Sequence, residues 1–450
     1  MRSLSAKTAT TAALCVLWAA TIALNWPGHL STDSVIELLE GRTGQYESWH
    51  PAVTSWLLGI ADSILRGPGL FIVFNVTLFY GSLLLLVRLR QKTNWFALPL
   101  ILLFAATPQF LLYPGIVWKD VLFAAASIAG FCCLAFAAAR WQRQWQHLAA
   151  TTLAILFFTL AALTRQNGLV IALTGVATYL AIAHKNSAHP RTAFAQTFVF
   201  LIALTAAIAI CMTALAARGD HGKGRADEIK MLQLYDFAAT TARDPSLKLA
   251  DLHQSDPTFE HLIRTEGARL FTPERVDSLQ RFTDLEQARD AAPAPLMMRQ
   301  WLHLIAHHPL LYLRTRAEIF RWVFLTPEID RCVPFLVGVS GPQPVLDKLN
   351  MPSRYDSRDE QLENYANPLV HTPIFSHATF AILAALLFVL LLRRRAPADI
   401  AIVFLLAGSG AFALTFFALS LACDYRYLYL LDMAAMVAAI HTALGSPARS

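Results

Sequence analysis

Long apolar blocks alternate with short polar connections over most of this chain. The blocks reach the roughly 17–25 residues that a helix needs to cross a bilayer core of about 30 Å. Candidate spans are 8–25, 70–87, 95–112, 121–139, 148–164, 168–183, 193–217, 374–392, 399–421 and 427–444, of which 168–183 is short. Segment 51–66, PAVTSWLLGIADSILR, is apolar as well. It is brief and carries Asp62 mid-run, which suits a helix lying in the interface better than one crossing it. Between the last two groups of spans lies a polar insert, 218–373, with helical patterns in RADEIKMLQLYDFAATTAR, PERVDSLQRF and MMRQWLHLIAHHPLLYLRTRAEIFRWVFL. The last of these has apolar positions at helical spacing but too many charges to cross, so it is expected to rest on the membrane. The expected fold is all-α: a polytopic membrane protein of about ten transmembrane helices, with an interfacial helix after the first span and a large helical external insert. Three modules follow from the pattern: 1–217, 218–373 and 374–450.

Composition agrees with this reading. Hydrophobic residues make up 56% and charged residues 15%, where a soluble domain carries about a quarter charged. The basic start followed by 8–25 resembles a secretory signal; with so many spans downstream, an uncleaved signal-anchor is expected. Lys and Arg outnumber Asp and Glu by 37 to 31. In a membrane protein that excess marks cytoplasmic loops rather than a nucleic-acid partner. The loops RLRQK (88–92), RWQRQWQH (140–147), HKNSAHPR (184–191) and RRR (393–395) all fall inside if 51–66 stays on the outer surface, and all invert if it crosses. The segments left facing outward are 26–69, 113–120, 165–167, 218–373 and 423–426. Six cysteines show no metal-ligand spacing. Cys132 and Cys133 are neighbours in an apolar run, and a pairing of Cys332 with Cys423, both in outward segments, is left open.

Those outward segments are few, and the insert among them is rich in charge and Gln. Asp33 begins a short helix in which Ser34 and Glu37 have capping-box spacing; a plain helix-entry charge would explain it equally well. Lys119 and Asp120 precede a span, where a snorkelling lysine and a capping aspartate are ordinary. Arg165 is harder to dismiss. It sits in a tight TRQNG turn on the side where cations are scarce, so an anionic partner is expected. Arg426 repeats the oddity, beside Tyr425, Tyr427 and Tyr429, where an interfacial anchor would be ordinary. Asp432 lies deeper in the same block and is expected to pair with a basic or polar neighbour. One carboxylate and three isolated cations on one face suit a specific task. The carboxylate can take a proton from an acceptor hydroxyl, and the cations can hold a phosphate as charge grows on it. A lipid-linked phosphosugar presents such a phosphate at the interface.

These residues resemble a known group. An N-terminal span, TDS (32–34), WHP (49–51), KD (119–120), an R-x-N-G turn (165–168) and RY (426–427) look like the GT-C superfamily of membrane glycosyltransferases. That superfamily uses polyprenyl-phosphate sugars and includes the protein mannosyltransferases and aminoarabinose transferases. The resemblance covers roughly residues 8–217 and the final span. It implies Asp33 as catalytic base, Lys119, Arg165 and Arg426 on the donor phosphate, and His50 at the acceptor entrance. Glu37, Asp120, Asn167 and Asp424, in the same outward segments, complete the candidate set. Asp33 is followed by Ser34 rather than a second acid, His50 by Pro51 and Ala52 rather than two prolines, and Gln166 stands where the turn usually has proline. No metal or cofactor is called for beyond the polyprenyl-phosphate-linked sugar as donor substrate. The implied partners are that lipid-linked donor and a glycan, lipid or protein acceptor, at the outer face of a bacterial inner membrane. The rivals are a lipid or polysaccharide flippase or transporter, which would favour ionisable groups at the midplane and internal repeats (none is visible), and a non-enzymatic envelope scaffold.

Overall fold

The computed structural model describes residues 5–46, 51–217, 221–394 and 396–445, which among themselves form helices and isolated bridges but no strand. Helix α1 (Ala6–Asn25) is followed by two short helices, α2 (Thr32–Thr43) and α3 (Ala52–Ile64), and by α4 (Gly69–Arg88). Next come α5 (Ala97–Ala105), α6 (Pro108–Leu111), α7 (Lys119–Ala139), α8 (Gln144–Thr164), α9 (Leu169–Asn186) and α10 (Pro190–Ala216). Helices His377–Arg394, Pro397–Leu419 and Tyr429–Ala443 close the chain. Among the described residues, eight helices are long and apolar enough to cross a membrane: α1, α4, α7, α8, α9 with the turn before it, α10, His377–Arg394 and Pro397–Leu419. The chain is therefore an all-α, multi-pass membrane protein.

Two expected spans take other forms. The block 95–112 is broken, its halves meeting at 86°. Pro108 has no N–H to continue α5 and pushes Thr107 out of the helical region, to φ −97°, ψ 146°. The block 427–444 becomes a 3₁₀ turn, Tyr425–Leu428, and a helix of 15 residues, Tyr429–Ala443. At 1.5 Å per residue that helix is about 22 Å long, short of the bilayer core, and it is buried along nearly its whole length. Helix α3, with 13 residues, is likewise too short to cross.

By contacts the chain forms two compact units, Met1–Gly219 with Phe335–Phe412 and Leu428–Ser450, and Asp220–Pro334 with Ala413–Tyr427. Residues 335–373 thus pack with the helices of the first unit. At the centre of that unit is α7, whose Ala, Gly, Ser and Cys side chains let neighbours approach. At Gly130 of α7 and Gly175 of α9 a Cβ would collide with the ring of Phe158 on α8. Helices α2 and α3 cross at Gly41 and Gly59, where a Cβ on either would overlap the other's backbone. Arg42 clamps the same pair, its Nε and Nη2 donating to Asp62 at 3.0 and 2.6 Å.

The second unit has its own core. Met231, Leu234, Tyr235 and Phe237 of α11 (His221–Arg243) pack with Met297 and Leu304 of helix Ala294–His307 and Tyr312 and Ile319 of helix Pro309–Leu325. Inside it Arg316 pairs with Asp236 at 2.7 Å, both fully buried, and Trp301 Nε1 donates to Asp236 at 2.7 Å. A disulfide joins Cys332 to Cys423 within this unit, so the pairing left open by the sequence is formed.

Candidate functional site

Helix α2 starts at Thr32 with Ser31 as its N-cap residue, so Asp33 stands in the first turn, half-buried. Carboxylates are favoured there by the helix dipole. The capping box expected at Ser34 and Glu37 is not formed. Ser34 lies inside the helix and is buried, and its hydroxyl donates to the carbonyl of Val117. Glu37 is buried too.

That Ser34 bond is one of several tying the start of α2 to the start of α7. His29 N–H donates to Gly115 O at 3.0 Å, and Val117 N–H donates to His29 O at 2.9 Å. Trp118 Nε1 donates to Ser31 Oγ at 3.2 Å. Val117 is two residues from Lys119, the first residue of α7. The chain at 338–340 adds a third segment: Leu30 N–H donates to Gly338 O at 2.9 Å, and Ser340 N–H to Leu30 O at 2.9 Å. Gly338 has φ +74°, and a Cβ there would overlap the Arg354 carbonyl, so only glycine fits this crossing.

Arg165 completes the group. It follows the last residue of α8 in extended conformation and forms an ion pair with Asp120, in the first turn of α7. Asp120 is buried, and the guanidinium also lies 5.8 Å from the centre of the Phe412 ring. The anionic partner expected of Arg165 is therefore Asp120. The Asp120–Arg165 pair as a whole is neutral, and Lys119 stands next to Asp120 in the first turn of α7. Asn167 sits in the 3₁₀ turn Gln166–Gly168 that joins Arg165 to α9. Asp33, Lys119, Asp120, Arg165 and Asn167 thus share one end of the first unit, reached through Ser34, Val117 and the Asp120–Arg165 pair.

His29 was not singled out by its sequence. It is fully buried, accepts from Gly338 N–H at Nδ1 (2.9 Å) and faces Asn25 Oδ1 from Nε2 at 3.1 Å. Asn25 uses its amide hydrogens on Thr21 O and Leu111 O, so its oxygen is an acceptor and Nε2 carries the proton of a neutral ring. Burial lowers the His29 pKa to about 4, opposed by Asp359 at 3.5 Å and reinforced by Arg354 and Arg358.

Arg426 and Asp424 belong to the second unit. Arg426 is nearly buried, pairs with Asp424 at 3.1 Å and lies 5.9 Å from the Tyr427 ring. Asp424 also takes a bond from Arg275 Nη2 at 2.9 Å. Tyr425 and Tyr429 are buried rather than exposed in a belt. Asp432 meets His377 Nδ1 at 2.9 and 3.0 Å, which supplies its expected neighbour. His50 lies outside the described residues.

Neither the protein-family models nor the curated proteins give a match to this chain. Among solved structures it is similar to the archaeal oligosaccharyltransferase AglB from Archaeoglobus fulgidus, in complex with an inhibitory peptide and a dolichol-phosphate, at 15% identity and a TM-score of 0.43. That alignment covers 96% of this chain, which spans about half (49%) of the archaeal protein.

Proposed function

We propose that this protein is a GT-C-type glycosyltransferase of a bacterial inner membrane, transferring a sugar from a polyprenyl-phosphate donor to a hydroxyl of a cell-envelope acceptor on the periplasmic face. The observation that carries the reading is the joining of the α2 start to the α7 start and, through Asp120, to Arg165. Three distant stretches thereby bring two carboxylates, Asp33 and Asp120, and two cations, Lys119 and Arg165, to one end of the helices. In the reaction Asp33 takes the proton of the acceptor hydroxyl as its oxygen attacks the anomeric carbon. The bond from that carbon to the phosphate oxygen breaks, its electron pair stays on the oxygen, and Lys119 and Arg165 hold the departing polyprenyl phosphate. A single displacement inverts the anomeric centre, by the geometry that governs inverting glycosidases. Asp120 orients the Arg165 guanidinium. The outward orientation is supported by the positive loops on the opposite side and by the Cys332–Cys423 disulfide, a bond that persists in oxidising compartments.

A sugar-transfer assay with membrane-inserted protein tests this. Asp33→Asn is expected to lower turnover by about 10²–10⁴-fold, the usual contribution of a general base, while wild-type turnover in that variant would remove Asp33 from the role. Arg165→Ala is expected to weaken donor use far more than acceptor use. Equal effects on both would count against a phosphate contact.

A further inference from the structure

Helix Pro309–Leu325 of the second unit divides cleanly by exposure. Tyr312, Thr315, Arg316, Ile319 and Val323 are buried against the unit's core. The opposite arc holds exposed Leu310, Leu313, Arg314, Ala317, Arg321 and Leu325, with Phe324 half-exposed. A helix resting on a soluble core turns a polar face to water. Here that face is apolar except for two arginines seven residues apart, which fall one above the other after two turns. It contains no carboxylate; Glu318 lies on the flank and pairs with Arg243. Among the described residues neither Arg314 nor Arg321 has an acidic partner.

The same helix is fixed where an apolar crossing helix ends. Its Phe320 ring packs edge-on against Phe417, with centroids 5.9 Å apart, in the last turn of helix Pro397–Leu419. Arg316 Nη1 donates to Ser420 O at 2.9 Å. Beyond the helix's C-terminus, Cys332 is bonded to Cys423. All of these partners lie within four residues of Leu419, where a bilayer-spanning helix would meet the headgroups.

We propose that helix Pro309–Leu325 lies in the outer surface of the bilayer, with Leu310, Leu313, Phe324 and Leu325 among the acyl chains and Arg314 and Arg321 on the phosphates of anionic phospholipids. Long arginine side chains reach the headgroup level from such a position, and an anionic surface attracts each by about fivefold in occupancy. This docking holds whatever reaction the protein catalyses.

Spin labels on the full chain in nanodiscs test it, with Leu313→Cys on the arc and Gln287→Cys, exposed elsewhere in the unit, as the aqueous reference. In discs containing phosphatidylglycerol, the label at 313 is expected to collide with oxygen several-fold more than with a nickel chelate, and the label at 287 to show the reverse. Arg314→Glu with Arg321→Glu, or phosphatidylcholine alone, should shift the 313 label toward nickel. A 313 label as open to nickel as the one at 287 would overturn the proposal, as would shielding from both reagents, which would mean that a protein covers the face. Insertion that is identical in both lipids and in the charge-reversed variant would overturn the headgroup contact.

Discussion

At the scale of single residues, the candidate site depends on side chains that serve position rather than charge. His29 is the clearest. Its ring bridges the loop after α1 to Gly338, 309 residues away, and no local pattern reveals such a contact. Arg165 was legible because a cation in a tight turn that the loop charges assign to the outer side violates the usual charge distribution; Asp120 was not legible as its partner because a capping role already explained it. The low pKa of His29 has a stability consequence with a definite sign. Folded, the ring holds its proton only near pH 4 and below; unfolded, it takes one up near pH 6.5. Between those values the unfolded chain binds more protons, so stability present above pH 6.5 is lost as pH falls toward 4, by about 3 kcal/mol at most. Thermal unfolding of the detergent-solubilised protein should therefore show a midpoint that drops across this window. His29→Asn, which keeps a polar group but cannot titrate, should flatten the drop; an unchanged slope would assign it to other groups.

At the scale of elements, periodicity and length located nearly every long helix, because apolar runs and turns between them are local properties. What they missed was set by single residues or by packing. Pro108 breaks α5 inside a run whose hydropathy looks continuous. The serine that begins α2 is Ser31, since the Ser34 hydroxyl is taken by Val117. The α2–α3 crossing was likewise invisible, because Gly41 and Gly59 acquire meaning only when opposed. Alanine at Gly59 forces the two helices apart at the Gly41 carbonyl and is expected to cost about 1–3 kcal/mol. Alanine at Gly81 of α4, where a Cβ meets nothing, should be neutral or stabilise by up to about 1 kcal/mol. Melting temperatures of the two variants, measured side by side, should move apart. Because α2 carries Asp33, Gly59→Ala should also lower transfer activity, and parallel shifts in both variants would disprove the close crossing.

At the scale of the whole molecule, sidedness is the property on which the proposed chemistry depends. Counting basic loops put the segments of Asp33, Arg165, Cys332 and Cys423 on the outer side, and the formed disulfide is the structural feature most directly open to a test of that placement. The bond closes a loop of 91 residues, which in the chain-entropy picture restrains the unfolded chain by about 4–5 kcal/mol. Two crossing-length helices lie within the loop, and helices that stay inserted in lipid reduce that figure, so Cys332→Ser with Cys423→Ser should weaken the second unit by less than this amount. The reagent's side of attack matters more than the size of the loss. In sealed vesicles of right-side-out orientation, a membrane-impermeant phosphine followed by a mass-tagged maleimide should modify both cysteines under mild denaturation, and inverted vesicles should protect them. Protection in the first and reaction in the second would place the disulfide in the cytoplasm. The charge-derived topology would then have to be inverted, carrying Asp33 and Arg165 away from the periplasmic face where the donor and acceptor are proposed to meet.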